Sequence, residues 1–372
     1  MALLLNDEQR LLADSARGFF AEQAPVAALR ALRDTADVDG FSRALWQRCA
    51  EMGFAGVRVP EAHGGMGLGL TEAAVLCESA GRKLAATPLL STAVLGAQLL
   101  AAAPAALAAA WLPRIAAGQA VVALALDEGA KHRPDRIAAT ARADGGGWVL
   151  DGDKVLVLDG HVAQLLVVVA RTAGGIGLFA VEAGSAGLSV QRTVMVDAHN
   201  AARVRLAGVR VGADARIGSD ADGAALLEAA LDAGRVCVAA ELLGAGDEAF
   251  ARTMAYLKER RQFGRLIGEF QALQHRAAEL YGDLELARAA LARAAEALDG
   301  GRSGAAALVA VAKAKACQAA DRAVREAVQM HGGIGMTDVL DMGFFMKRVR
   351  VLQELLGDAS FHESRLAVLH GY

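Results

Sequence analysis

Two short runs in the C-terminal half carry side chains that could hold a phosphorylated cofactor. One is Glu259-Arg260-Arg261-Gln262-Phe263-Gly264, continuing into Glu269-Phe270-Gln271. Guanidinium forks match phosphate oxygens, glycine permits a sharp change of direction, and Phe263 could lie on a planar ring. The same residues also describe an exposed basic helix end with Phe263 in the core, and spacing alone favours that plainer reading. The other run is Gln329-Met330-His331-Gly332-Gly333-Ile334-Gly335. Adjacent glycines after a helix let backbone amides approach and bind an anion; they serve equally as a helix stop. No serine or cysteine is legible beside His331, which reads as structural. Asp232 and Arg235 stand three residues apart in helical sequence, so their side chains share a face. That pair suits a ligand contact or an ordinary ion pair.

The elements that must position these residues follow a helix–sheet–helix order. Residues 1–118 read as an all-helical domain. Asn6 with Gln9 resembles a capping box, and Leu11, Leu12, Ala16, Phe19 and Phe20 recur at helical spacing. Val59 to Gly67 is a turn-rich connection before a helix from about Thr71, and Gly118 closes the domain. Residues 119–218 read as a β-domain, because short apolar runs such as 165–169 and 176–181 are bounded by turn residues with no helix between them. Asp151-Gly152, flanked by apolar runs at 148–150 and 154–158, predicts a tight hairpin. An antiparallel barrel or sandwich is expected. Residues 219–372 read as a four-helix bundle, with helices near 222–258, 269–299, 302–331 and 349–369. In the second, Phe270, Leu273, Ala277, Leu280, Leu284 and Ala287 form an apolar stripe.

At 372 residues two or three domains are expected, and a hydrophobic content of 54%, much of it alanine, supplies a large close-packed core. A net charge of -3 and a pI near 6.3 give no basic footprint for nucleic acid or anionic membrane. Cys49, Cys77, Cys237 and Cys317 lack metal-type spacing and read as reduced, buried thiols of a cytoplasmic protein. No metal is expected. The start, Met1 to Glu8, lacks a basic region and meets acid at once, so it does not read as a signal peptide. Thr92 to Leu112 carries no charge, but Pro104 would break a single membrane span; two buried helices joined there are expected.

The Arg260 and Gln329 runs together resemble the signature of the acyl-CoA dehydrogenase family, and the resemblance covers nearly the whole chain. Further echoes are Val59-Pro60 with Gly64-Gly65, Glu78 with Gly81-Arg82, Leu112-Pro113 to Gly118, and Gly152-Asp153-Lys154. The resemblance implies an N-terminal helical domain, a middle β-domain and a C-terminal four-helix bundle, usually assembled as a tetramer. It implies FAD-dependent oxidation of an acyl-CoA thioester to the 2-enoyl-CoA, with electrons passing to an electron-transfer acceptor. In that family a glutamate removes the α-proton while hydride leaves the β-carbon for the flavin. Carried over by motif, Arg260, Gln262, Phe263, Gln271, Gln329, Gly332 and Gly333 would contact FAD of a neighbouring subunit. Asp232 and Arg235 would contact CoA.

The departures from the family pattern are specific. The usual base position, before Gly-Thr/Asp near the last helix, holds Leu356; the alternative position, in the first bundle helix, holds Gly234. Neither takes a proton. Glu354 and Asp358 flank Leu356, but a two-residue shift along a helix turns a side chain away. Glu241 lies two turns beyond Gly234, roughly 10 Å along the axis, and could serve only if the acyl chain sits differently. The family's Thr-Glu-Pro-x-x-Gly-Ser-Asp loop and Trp-x-Thr strand, which flank the flavin, read here Leu126-Asp127-Glu128-Gly129-Ala130 and Leu156-Val157-Leu158. Groups offered to a neighbour's flavin survive, while the chain's own oxidation site is depleted. That pattern implies the base-lacking subunit of a heteromeric acyl-CoA dehydrogenase, of the kind bacteria use for steroid side chains or dicarboxylic acyl-CoAs. FAD would then lie at the boundary of a homo- or heterotetramer. Two other readings stay open: a flavin-dependent monooxygenase of the same fold, which needs no α-proton base, and a non-catalytic FAD-binding or structural subunit.

Overall fold

The computed structural model describes residues 5–372; the first four residues of the segment read as lacking a signal peptide lie outside them. Helices fill the chain up to residue 116: α1 (Asp7–Gln23), α2 (Val26–Asp34), α3 (Arg43–Glu51), α4 (Leu70–Gly81), α5 (Ala97–Ala101) and α6 (Ala105–Ala116). The expected capping box forms. The Gln9 amide donates to Asn6 Oδ1 at 2.8 Å and the Asn6 amide donates to the Gln9 side chain at 3.0 Å, satisfying two donors that a helix start otherwise leaves orphaned. Ala13, Ala16 and Phe20 are the buried face of α1, whereas Leu11 stays exposed. The uncharged stretch divides at Pro104 as expected: a buried π-helical segment (Leu89–Gly96) leads into α5, and Pro104 is the N-cap of α6. No helix among the described residues is long and apolar enough to cross a membrane.

Eight strands then share one sheet: β1 (Val122–Ala125), β2 (Thr140–Asp144), β3 (Gly147–Leu158), β4 (Leu165–Thr172), β5 (Gly175–Glu182), β6 (Leu188–Val194), β7 (Asn200–Gly212) and β8 (Arg216–Ile217). The path runs β6-β7-β3-β2-β4-β5-β8, with β1 beside β4. It differs from an antiparallel barrel in two ways. The path is open, and it is mixed, because β1 pairs parallel with β4 and β2 does so at Thr140–Arg171. The hairpin expected at Asp151-Gly152 is also corrected: β3 runs through both residues as one strand of 12. The reversal comes earlier, at Gly145 (φ 58°) and Gly146 (φ 96°), where two glycines enter positive φ freely. Gly152 instead marks a bulge against β7, and at its φ of 142° a Cβ would come 2.6 Å from that of Ala139.

The remaining chain is helical again. α7 (Gly223–Glu259) is followed by two-residue strands β9 (Arg261–Gln262) and β10 (Arg265–Leu266), then α8 (Gln271–Asp299) and α9 (Ala305–His331). Leu280, Leu284 and Ala287 of the expected α8 stripe are buried. The fourth expected helix, 349–369, is a correction: it is two helices, α10 (Met342–Glu354) and α11 (Ala359–Leu369). The break falls where Leu356 (φ 57°) and Gly357 (φ 104°) leave the right-handed region. Asp358 restarts the helix, its carboxylate accepting from the Phe361 amide at 2.9 Å.

Packing divides the chain into two compact units. One comprises Leu32–Gly69 and Ala86–Gly234; the other comprises Leu70–Ala85, Arg235–Tyr372 and the described residues up to Ala31. Within the second unit α4 and α7 cross at glycines, since a Cβ on Gly244 would meet the Glu78 carbonyl oxygen at 2.0 Å. Arg82 and Arg288 share Glu78 and Asp247 around that crossing. All four cysteines are buried and unbridged.

Candidate active site

The chain leaves α7 through a tight hairpin in which Gln262 pairs with Arg265, with Phe263 at φ 53° and Gly264 at φ 81°. Both central residues of a type I′ turn need positive φ, which suits asparagine or glycine; phenylalanine there costs on the order of 1 kcal/mol. Phe263 is 91% exposed, edge-on to Phe270 with ring centroids 6.2 Å apart, so it is not a core residue. Arg265 lies 4.2 Å over the Phe270 ring. α9 stops because Gly332 adopts φ 65° and ψ -142°, a conformation that only glycine enters readily. Leu257, Ile267 and Met330 form a small apolar cluster with Met254, Tyr256, Phe270 and Leu273 packed on it. The arginine corner and the double-glycine bend therefore stand on one base. His331 is buried beside them, stacked on Tyr256 at 4.4 Å, and its Nδ1 donates to the Ala327 carbonyl at 2.7 Å. Those bonds are a structural role.

Arg260, Gln262, Gln271, Gln329, Gly332 and Gly333 are all exposed on their unit. Among the described residues neither Arg260 nor Arg261 has a carboxylate partner. A Cβ at Gly332 or Gly333 would meet nothing within 4 Å, so the bend is open to an approaching ligand. Unneutralised guanidinium groups, amide side chains and open glycine backbone fit the diphosphate half of a dinucleotide.

The position where the family keeps its base is a built loop without a base. Leu356 is buried, and its carbonyl accepts from Arg235 Nε at 3.4 Å and from His362 Nε2 at 3.1 Å. Arg235 also faces the Phe361 ring at 5.8 Å. Asp232 and Arg235, read as a CoA-contacting pair, are both buried, and Arg235 is directed to the Leu356 loop. The other carboxylate candidate, Glu241, is buried against Arg348, which binds it through Nε at 2.8 Å and through Nη2 at 2.7 Å. Glu241 is thus held as an ion-pair partner.

Burial, with Lys313 and Arg235 nearby, pushes the His362 imidazole down to about 2. The ring is neutral in the folded chain, whereas an unfolded histidine takes a proton near pH 6.5. Its contribution to stability is therefore complete above about pH 6.5 and is lost as pH falls toward its folded value, by about 1.4 kcal/mol per unit. His362→Gln, which keeps a donor but does not titrate, is expected to flatten the decline in urea-melt stability between about pH 6 and 4. An unchanged slope would count against a neutral buried imidazole.

In the unit that contains the sheet, Lys154 is fully buried, and its ammonium donates to Glu128 Oε1 at 2.7 Å and to the Leu126 carbonyl at 3.1 Å. Glu128 also accepts from the amides of Ala138 and Ala139. Burial raises the Glu128 carboxyl, but Lys154 and those amides draw it further down, to a net position below the usual carboxylate range. The Val155 amide donates to the Asp127 carbonyl at 2.7 Å, so the 126–128 segment is pinned along β3. Asp127 meets His132 Nδ1 at 3.0 Å. Two residues past Lys154, Leu156 takes φ 53° and is partly exposed. Among the described residues seven non-glycine positions have positive φ, and Leu156, Phe263 and Leu356 are three of them. All three stand at motif positions. Sequence reading passed over this strain; the glycine that directly follows Phe263 and Leu356 is the one signal that pointed to it.

An open sheet flanked in sequence by long helices, with a dinucleotide-type corner on the helical part, defines a flavin-binding oxidoreductase architecture. The chain belongs to the acyl-CoA dehydrogenase family. The family's N-terminal domain matches residues 6–119, its middle domain residues 127–209 and its C-terminal domain residues 221–367. Acyl-CoA dehydrogenase FadE12 of Mycobacterium tuberculosis is 33% identical over 319 residues, covering 82% of each chain. Two solved structures superimpose with a TM-score of 0.90: a variant of the Tcur3481-Tcur3483 steroid ACAD, 33% identical over 98% of each chain, and the ChsE4-ChsE5 complex from Mycobacterium tuberculosis, 26% identical over 100% of each chain.

Proposed function

We propose that the chain is a FAD-dependent oxidoreductase of acyl-CoA thioesters that works as the base-lacking subunit of a hetero-oligomer. The observation that carries this reading is the loop at Leu356, held from three helices yet with no proton acceptor at residue 356 itself. When bound, FAD supplies the acceptor for hydride from the acyl β-carbon. The chain's part is to hold that cofactor: Arg260 on the diphosphate, Gln262, Gln271 and Gln329 as polar contacts, Gly332 and Gly333 as open backbone, and Phe263 against a planar ring. The strained, exposed conformation of Phe263 supports such a role. With leucine at 356, glycine at 234 and Glu241 bound to Arg348, the α-proton needs an acceptor from another chain.

Exposed Phe263 and Ile334 lie in the two cofactor motifs and exposed Met336 directly follows the second, which supports cover by another subunit there. Two similar solved structures carry paired chain names, ChsE4-ChsE5 and Tcur3481-Tcur3483. Tetrameric assembly, a separate electron-transfer acceptor and a cytoplasmic location belong to the same proposal. Arg260→Ala is expected to weaken FAD retention about 10- to 100-fold, the worth of one charged hydrogen bond. Because the side chain is exposed, the melting temperature stays near that of the parent; dialysis followed by flavin absorbance reads the retention. The hetero-oligomer reading is tested by assaying the purified chain alone and with a coexpressed glutamate-bearing relative. Ordinary turnover of an acyl-CoA by the single chain sinks it.

A further inference from the structure

The loop that replaces the base is held by more polar machinery than a helix break requires. Lys313, on α9, is completely buried. Its ammonium donates to the carbonyls of Gly357 at 2.9 Å, Leu352 at 3.1 Å and Gln353 at 3.3 Å, and lies 3.3 Å from Cys317 Sγ. None of these four partners is a carboxylate. Burial draws the lysine below its ordinary range, with Cys317 and Asp358 acting in the opposite sense. An ammonium in such a place is unfavourable unless hydrogen bonds make up for its lost hydration.

The geometry shows what those bonds do. Leu352 and Gln353 lie in the last turn of α10, where carbonyls are unpaired and the helix dipole gathers negative charge. Most helices finish such ends with water or glycine motifs; α10 uses a cation from another helix. Gly357 belongs to the loop itself. Arg235 from α7 and His362 from α11 meet at the carbonyl between them, that of Leu356. Three helices thus fix four carbonyls of one short segment, and with them the φ of 57° at residue 356.

We propose that Lys313 is a positioning residue: by holding the carbonyls of Leu352, Gln353 and Gly357 it fixes the backbone from which residue 356 projects, so the chain keeps the scaffold of a base while leucine stands in its place. Its link to catalysis rests on the proposed function; its mechanical part does not.

The test uses the FAD-loaded full chain and compares the parent with Lys313→Met and Lys313→Gln. Amide hydrogen exchange over residues 355–361 is expected to quicken about 10-fold or more in both variants, while peptides of α8 keep their rates. No change at 355–361, or an equal quickening throughout the helices, overturns the proposal. If neither variant folds, the parent decides: slow exchange at 355–361 supports the clamp and fast exchange overturns it. The second arm adds Lys313→Gln to a Leu356→Glu background. There kcat is expected to fall about 10- to 100-fold, with KM for the acyl-CoA within about threefold, as for a displaced reacting group. An unchanged kcat overturns the proposal. A Leu356→Glu chain without activity but with the local exchange pattern supports the clamp and counts against the acyl-CoA reading alone.

Discussion

Replacing Leu356 with glutamate is expected to raise acyl-CoA dehydrogenation by the FAD-loaded chain by about 10²–10⁴, the usual worth of a positioned general base. The substitution needs no new backbone. Residue 356 already projects from a turn whose carbonyl is held by Arg235 and His362 and whose neighbours are held by Lys313. Glutamate reaches one bond further than leucine, so its side chain starts in the volume the leucine now fills and its carboxylate extends just beyond it. That volume is nearly dry, since Leu356 is buried, and desolvation raises a carboxyl toward neutral pH, where a base works best. The nearby Arg235 and Lys313 act in the opposite sense and keep part of the population ionised. Stopped-flow loss of flavin absorbance with a panel of acyl-CoAs reads the outcome. If no acyl-CoA bleaches the variant faster than the parent, residue 356 does not face the acyl chain and the proposed site is wrong.

The second large effect concerns stability. Arg348→Met is expected to destabilise the chain by about 3–5 kcal/mol, because it leaves the Glu241 carboxylate buried without its partner. Both members of the pair are almost fully buried, and two guanidinium nitrogens reach the same carboxylate oxygen. Removing both charges at once, as Glu241→Leu with Arg348→Met, is expected to recover most of the loss, since a buried pair and a packed apolar pair are often near in free energy. Urea melts of the parent, the single and the double variant close that cycle. A single variant within about 1 kcal/mol of the parent would show Glu241 to be hydrated, and would return it to the list of available bases.

Features that depend on neighbours in the chain were legible. The Asn6 cap, the division at Pro104, the Gly118 stop and the long helices α7 to α9 follow from residue type and spacing within a few turns. Features that depend on a distant partner were not. Asp151-Gly152 has the composition of a turn, yet β7 pairs with both sides of it and draws it into a bulge. The last helix looked continuous, yet carbonyl bonds from α7, α9 and α11 open it at Leu356. The parallel pairings of β1 and β2 with β4 leave no local trace at all.

Sequence by itself determined which cofactor chemistry the chain can serve and that no carboxylate stands at either base position, because both are matters of residue identity at motif positions. Only the tertiary structure decided what the surviving polar groups do. Arg235 turned out to hold a carbonyl 121 residues away, and Lys313 one that is 44 residues away. Glu241 closes on Arg348 across 107 residues, while Phe263, apolar and suited to a core, stands exposed on its hairpin. Burial and hydrogen-bond partners are set by contacts between distant segments, and no local pattern encodes which of two buried charges will find the other.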